Sequence, residues 1–130
     1  MIQRIQSLYL VAVLLLQVWG AFWPFAIYYN GYEFMTPMLY HGQSVLAGIV
    51  ALVTLFLFKK RTIQLWLCKV ILLVEFLFLV VGVYGIIQEG WSIDRDLIFA
   101  TDLLALVCVV LAHRAIAKDE ALIRSIDRLR

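Results

Sequence analysis

The sequence predicts an all-α integral membrane protein, a four-transmembrane-helix bundle with both ends in the cytoplasm and a C-terminal amphipathic cytoplasmic helix. Three observations predict it. Apolar residues make up 65% of the 130 positions and charged residues only 15%, against roughly 45–50% and about 25% in soluble domains. The apolar residues fall in four long runs without the polar–apolar alternation of a β-barrel strand. The basic residues cluster in three segments that an even number of spans would bring to one side.

The first run extends from Ile5 to Trp23, interrupted mainly by Gln6, Ser7 and Gln17. Its length corresponds to about 28 Å of helix, close to the thickness of a bilayer core. It exceeds a signal-peptide core and lacks a small-residue cleavage site, so it is read as a retained span. Pro24 is expected to end it. The second span covers about 41–58, starting at His41 or a turn earlier, and stops at Lys59-Lys60-Arg61. The third covers 63–87, long enough to require tilt or protruding ends. The fourth covers about 96–115. The chain thus divides into a transmembrane domain, 1–117, and a cytoplasmic tail, 118–130.

Arg4, the Lys59–Arg61 cluster and the bases after span four together hold nine of the eleven basic residues. Opposite them stands Arg95, and Lys69 lies within span three. The positive-inside rule therefore places both termini in the cytoplasm. Aromatic residues crowd the other side, among them Trp19, Trp23, Tyr29, Tyr32, Tyr84 and Trp91, with Trp66 at the inner face. Such rings anchor helices at headgroup level. The connection 24–40 is expected to lie partly in the interface or over the helix ends.

Charges inside the membrane are the candidate site. Glu75 is central in span three, too deep to reach water, and needs a partner or a proton. Lys69 sits six residues away, about 240° round the helix, so the two are not natural partners. Lys69 is expected to extend to the inner headgroups. Asp102, about a turn and a half into span four, is expected to be wetted from the outer side. Glu75 and Asp102 read either as an ion or substrate site or as a polar packing contact. The second is preferred, with the partner of Glu75 expected between spans or on another chain.

Cys68 and Cys108 lie in apolar runs and read as small buried hydrophobes. His41 and His113 fall at opposite membrane faces and cannot share a metal. Catalytic, metal-binding and phosphate-binding signatures are missing, so neither an enzyme nor a cofactor is expected. Ala47/Ala51 have the spacing of a small-residue packing motif. In the tail, Leu122, Ile126 and Leu129 recur at helical spacing among charges. Arg114, Lys118, Arg124, Arg128 and Arg130 are candidates for docking membrane lipids or a protein partner. Nucleic acid is not an expected partner, because no binding fold accompanies the charge.

The two ends of the chain carry a family resemblance. The opening Met1-Ile2-Gln3-Arg4-Ile5-Gln6-Ser7-Leu8-Tyr9-Leu10 and the ending from His113, with its RAI-x-KDE-x-L-x-RS-x-DRLR pattern, resemble the bacterial family called domain of unknown function 4293. The resemblance implies a bacterial inner-membrane location and supplies no activity and no catalytic residue. The small multidrug resistance transporters are also short and four-spanned, but their essential glutamate is in the first span, where this chain has no acid. The expected function is that of a non-enzymatic accessory or scaffold subunit of a membrane assembly, with another membrane protein or a second copy as partner. The alternatives are a small proton-coupled carrier using Glu75 and a lipid-interacting membrane protein.

Overall fold

Long uninterrupted apolar sequence favours helix because a helix satisfies its own backbone hydrogen bonds. The computed structural model describes residues 2–28, 35–89 and 93–127, with side chains over 5–22, 39, 41–84, 87, 97 and 99–126. It contains α1 (Ile2–Tyr28), α2 (Met35–Phe56), α3 (Arg61–Glu89) and α4 (Ile93–Asp127). Arg128, Arg130, Trp91 and the aromatic segment 29–34 lie outside the described residues, as do the side chains of Arg4 and Arg95.

The helices pack in sequence order, α1 on α2, α2 on α3 and α3 on α4, and α4 closes back on α1. Side-chain contacts give their directions. His41 Nδ1 donates to the Ala21 carbonyl at 2.6 Å, Gln64 Nε2 to the Thr54 carbonyl at 2.8 Å and Gln6 Nε2 to the Ala115 carbonyl at 3.2 Å. Successive helices are therefore antiparallel. The start of α1, the α2–α3 turn and the last part of α4 share one end of the bundle.

The end of α1 differs from the sequence reading. Helix α1 continues through Pro24 to Tyr28 instead of stopping at Trp23. Proline removes one hydrogen bond, whereas ending the helix there would free several backbone groups in an apolar setting. His41 reaches the carbonyl next to the one that Pro24 deprives of its donor. Helix α4 runs without a break from Ile93 to Asp127, so that residues 118–127 continue the helix of the fourth span. Its 35 residues make a rod of about 52 Å, well beyond a bilayer core of about 30 Å.

The interior is polar in places and the exterior is apolar. Leu10, Val13, Ala47, Ala51, Cys68, Ile71, Val109, Ala112 and Ile116 form the apolar core. The side chains of Ala47 and Ala51 are small enough to sit wholly inside it, as the small-residue spacing predicts. Gln6, Gln17, Gln43, Thr54, Gln64, Glu75 and Asp102 are buried as well, while large hydrophobics such as Leu8, Leu15, Ile49, Phe56, Leu73 and Ile87 face outward. A water-soluble domain does not expose so much apolar surface. Ile5–Phe22, Arg61–Tyr84 and Phe99–Ile126 are long and apolar enough to cross a membrane, and His41–Phe56 is a shorter apolar helix. The chain is an all-helical four-helix protein compatible with a membrane.

Candidate functional site

Glu75 stands at the midpoint of α3 and is completely buried, at 0% exposure. Its partner comes from the diagonally opposite helix, where Gln17 of α1 donates Nε2–H to Glu75 Oε1. The adjacent helices complete the surroundings. Gln43 of α2 lies beside the same carboxyl, and Asp102 of α4 is near enough to interact with it electrostatically. Ser44 Oγ donates to Gln43 Oε1 at 3.4 Å. Each of the four helices thus supplies a buried polar side chain to one cluster.

Local sequence explains the convergence. A helix directs one residue in three or four toward its neighbours. Gln17 follows Leu10 and Val13 on the inward stripe of α1, while Gln43 and Ser44 precede Ala47 and Ala51 on that of α2. Glu75 follows Cys68 and Ile71, and Asp102 precedes Ala105 and Val109. In all four helices the polar residue lies on the inward stripe, on the side of the apolar core away from the α2–α3 turn. Gly20 lets α1 and α2 approach closely here, since a Cβ at that position would come within 3.0 Å of Ser44 Oγ.

The cluster retains unused hydrogen-bonding capacity. Gln17 Oε1 is buried without a hydrogen-bond partner, while Gln43 hydrogen-bonds the Glu75 carboxyl. A purely structural network in a low-dielectric interior is expected to be satisfied, because each unmet polar atom is costly. Two buried carboxyl groups near enough to interact in such an interior also require compensation, by a proton or by a cation.

The structure revises one expectation at this site. Asp102 is not wetted from the outer side but buried at 3% exposure, because its position on α4 faces inward across from Glu75. Of the two places expected for a partner of Glu75, between spans or on another chain, the contact with Gln17 is of the first kind. Lys69 is exposed on the outside of α3 and takes no part. The sequence reading passed over Gln17, Gln43 and Ser44. The signal that could have found them is an amide or hydroxyl within an apolar run, on the same helical stripe as the small core residues.

A second set of polar contacts joins the α2–α3 turn to the end of α4. Arg61 pairs with Asp119 of α4 at 3.1 Å, while Arg124 and Glu120 pair within α4 at 2.5 Å. Of the candidate docking bases, Arg114, Lys118 and Arg124 are exposed on α4, and Arg124 is already engaged by Glu120. Among the described residues no group of three His, Cys, Asp or Glu side chains could hold a metal ion.

No curated protein and no solved structure matches the chain. The family model described as Domain of unknown function (DUF4293) matches residues 32–129, covering α2, α3, α4 and with them Gln43, Glu75 and Asp102. The match leaves out the opening residues that also carried the resemblance, but it spans well over half of the chain, and the chain belongs to this family of unknown function.

Proposed function

We propose that this is a small proton-coupled carrier of a bacterial inner membrane, in which Glu75 and Asp102 together hold a proton. The observation that supports it is the burial of two carboxyl groups from different helices, near enough to interact, with no base beside them among their described partners. In this reading all four helices cross the bilayer, and the termini and the Lys59–Arg61 turn face the cytoplasm, as the distribution of bases favours. Water is kept from the carboxyls on the basic side by the apolar core. The amides of Gln17 and Gln43 can each present either a donor or an acceptor, so they accommodate a carboxylate and a protonated acid alike.

The test is infrared spectroscopy of the protein in lipid nanodiscs while pH is varied. A protonated buried carboxyl gives its own C=O band. The proposal expects a band that titrates in the native protein and is lost or displaced in Glu75→Gln and Asp102→Asn. A band that never responds to pH, or one indifferent to both substitutions, makes the cluster a packing device only.

The second reading, a non-enzymatic accessory subunit, rests on the far end of α4. Residues 121–126 are exposed all round, apolar Leu122 and Ile126 included. Here that helix, not Glu75, is the docking element. Removing residues 118–130 should then release a partner that co-purifies in mild detergent. Unchanged co-purification would eliminate this reading.

A further inference from the structure

The α2–α3 turn is short and closed, with the Lys60 amide donating to the Leu57 carbonyl at 2.9 Å. Between this turn and the extension of α4 lies a pocket of about 720 Å³, within the range of roughly 300–1,000 Å³ typical of small-molecule sites. Residues 58–63 line it on one side, and Glu120, Ile123 and Arg124 of α4 on the other.

Its charges do not cancel. Arg61 is engaged by Asp119 and Arg124 by Glu120, so both described carboxylates at this junction already hold an arginine. Lys59 and Lys60 are exposed and pair with no carboxylate among the described residues. The first turn of α3 adds the partial positive charge of a helix N-terminus. The pocket therefore carries net positive charge and attracts an anion.

The surroundings of that charge are apolar. Lys59 Nζ stands 5.9 Å from the centre of the Phe58 ring. Phe58, Ile63 and Ile123 line the same pocket and are all exposed. Ile63 shares a face of α3 with Trp66, three residues further into the helix, and Trp66 is exposed too. The pocket thus runs onto the outward apolar surface of α3, which lipid covers in the membrane-spanning arrangement, with Trp66 at headgroup level.

We infer that this pocket is the binding site for one anionic phospholipid, with its phosphodiester at Lys59 and Lys60 and its acyl chains over Ile63 and Trp66. Charge complementarity selects an anion, and the continuous apolar face selects a lipid over a soluble acidic peptide. A headgroup without an ammonium of its own fits best, because the lysines then meet an uncompensated negative charge. The site is narrower than the spread of bases along α4, since Arg114 and Lys118 are exposed but do not line the pocket. A lipid held there fastens the same junction of turn and α4 as the Arg61–Asp119 pair. The inference uses the membrane-spanning arrangement but not the acidic cluster around Glu75.

The experiment is native mass spectrometry of the full chain in mild nonionic detergent, with equimolar phosphatidylglycerol and phosphatidylcholine added. The first lipid bound is expected to be phosphatidylglycerol, preferred by at least about fivefold. Lys59→Gln with Lys60→Gln should abolish the preference, and Lys59→Arg with Lys60→Arg should keep it. Arg114→Gln with Lys118→Gln removes the same charge outside the pocket and should keep it as well. Thr62→Trp, which narrows the pocket without altering its charge, should weaken phosphatidylglycerol binding. All variants are first shown to be monodisperse and helical. Equal binding of the two lipids by the native chain sinks the inference. So does an equal loss in both charge-removing variants, which would mean diffuse attraction by the whole basic end. Displacement of the bound lipid by millimolar glycerol phosphate, or by an oligoglutamate peptide, would assign the pocket to a soluble anion instead.

Discussion

At the scale of single residues, the Gln17–Glu75 contact has consequences opposite to those of a surface pair. Glu75 is wholly enclosed, so removing Gln17 leaves the carboxyl with less compensation and no route to water. Gln17→Leu is expected to destabilise the fold by about 1–3 kcal/mol, the usual cost of a buried polar group deprived of its partner. The double change Gln17→Leu/Glu75→Leu removes both groups and should recover most of that loss, since apolar replacement of a buried pair is often neutral. Reversible unfolding in mixed micelles of increasing denaturant content measures both. If the double variant is as unstable as the single one, Glu75 draws its main support from Gln43 or another neighbour. His41 is a milder case, capping the Ala21 carbonyl near Pro24 from an accessible position.

At the scale of helices, two features of the interior decide how α2 and α4 sit. Ala47 and Ala51 occupy the core without any exposed surface to spare. Ala51→Leu should therefore force α2 away from its neighbours at a cost of about 1–3 kcal/mol, seen as a lower thermal midpoint. The same substitution at outward-facing Val53 should leave the midpoint unchanged. On α4, the Arg61–Asp119 pair ties the extension to the α2–α3 turn, with side chains 19% and 12% exposed. Its partial exposure limits its worth to about 1 kcal/mol. Reversing the charges together, Arg61→Asp with Asp119→Arg, should restore what Asp119→Ala loses. A double-mutant cycle with no coupling would mean that α4 is held by its apolar contacts alone, through Ala112 and Ile116.

At the scale of the whole molecule, polarity is inverted relative to a water-soluble bundle, with amides and carboxyls inside and large hydrophobics outside. Lipid makes that arrangement stable, because outward apolar groups cost nothing there and polar groups gain by meeting one another. The antiparallel order places the α2–α3 turn and the extension of α4 at one end. With Cys68 and Cys108 replaced by alanine, single cysteines introduced by Lys60→Cys and Ile126→Cys should both resist a membrane-impermeant thiol reagent in intact cells. Both should react after permeabilisation. Labelling of either from outside would overturn the proposed orientation.

Sequence alone determined the class of the molecule and its segments. Four apolar runs with few charges have one economical solution, helices that satisfy their own backbones, and the short polar breaks between them force neighbours to run antiparallel. It also marked Glu75 as anomalous, because depth within a run can be counted along the chain. Only the tertiary structure decided what Glu75 meets. Gln17, Gln43 and Asp102 lie on three other helices, and no periodicity within one helix specifies how it is rotated and shifted against another. Counted along α4, Asp102 looked close enough to the outer surface to be wetted, yet packing turns it inward and buries it with Glu75. The pocket between the α2–α3 turn and α4 was equally invisible beforehand, since a cavity is a property of two surfaces that fail to touch, and each sequence segment describes only one of them.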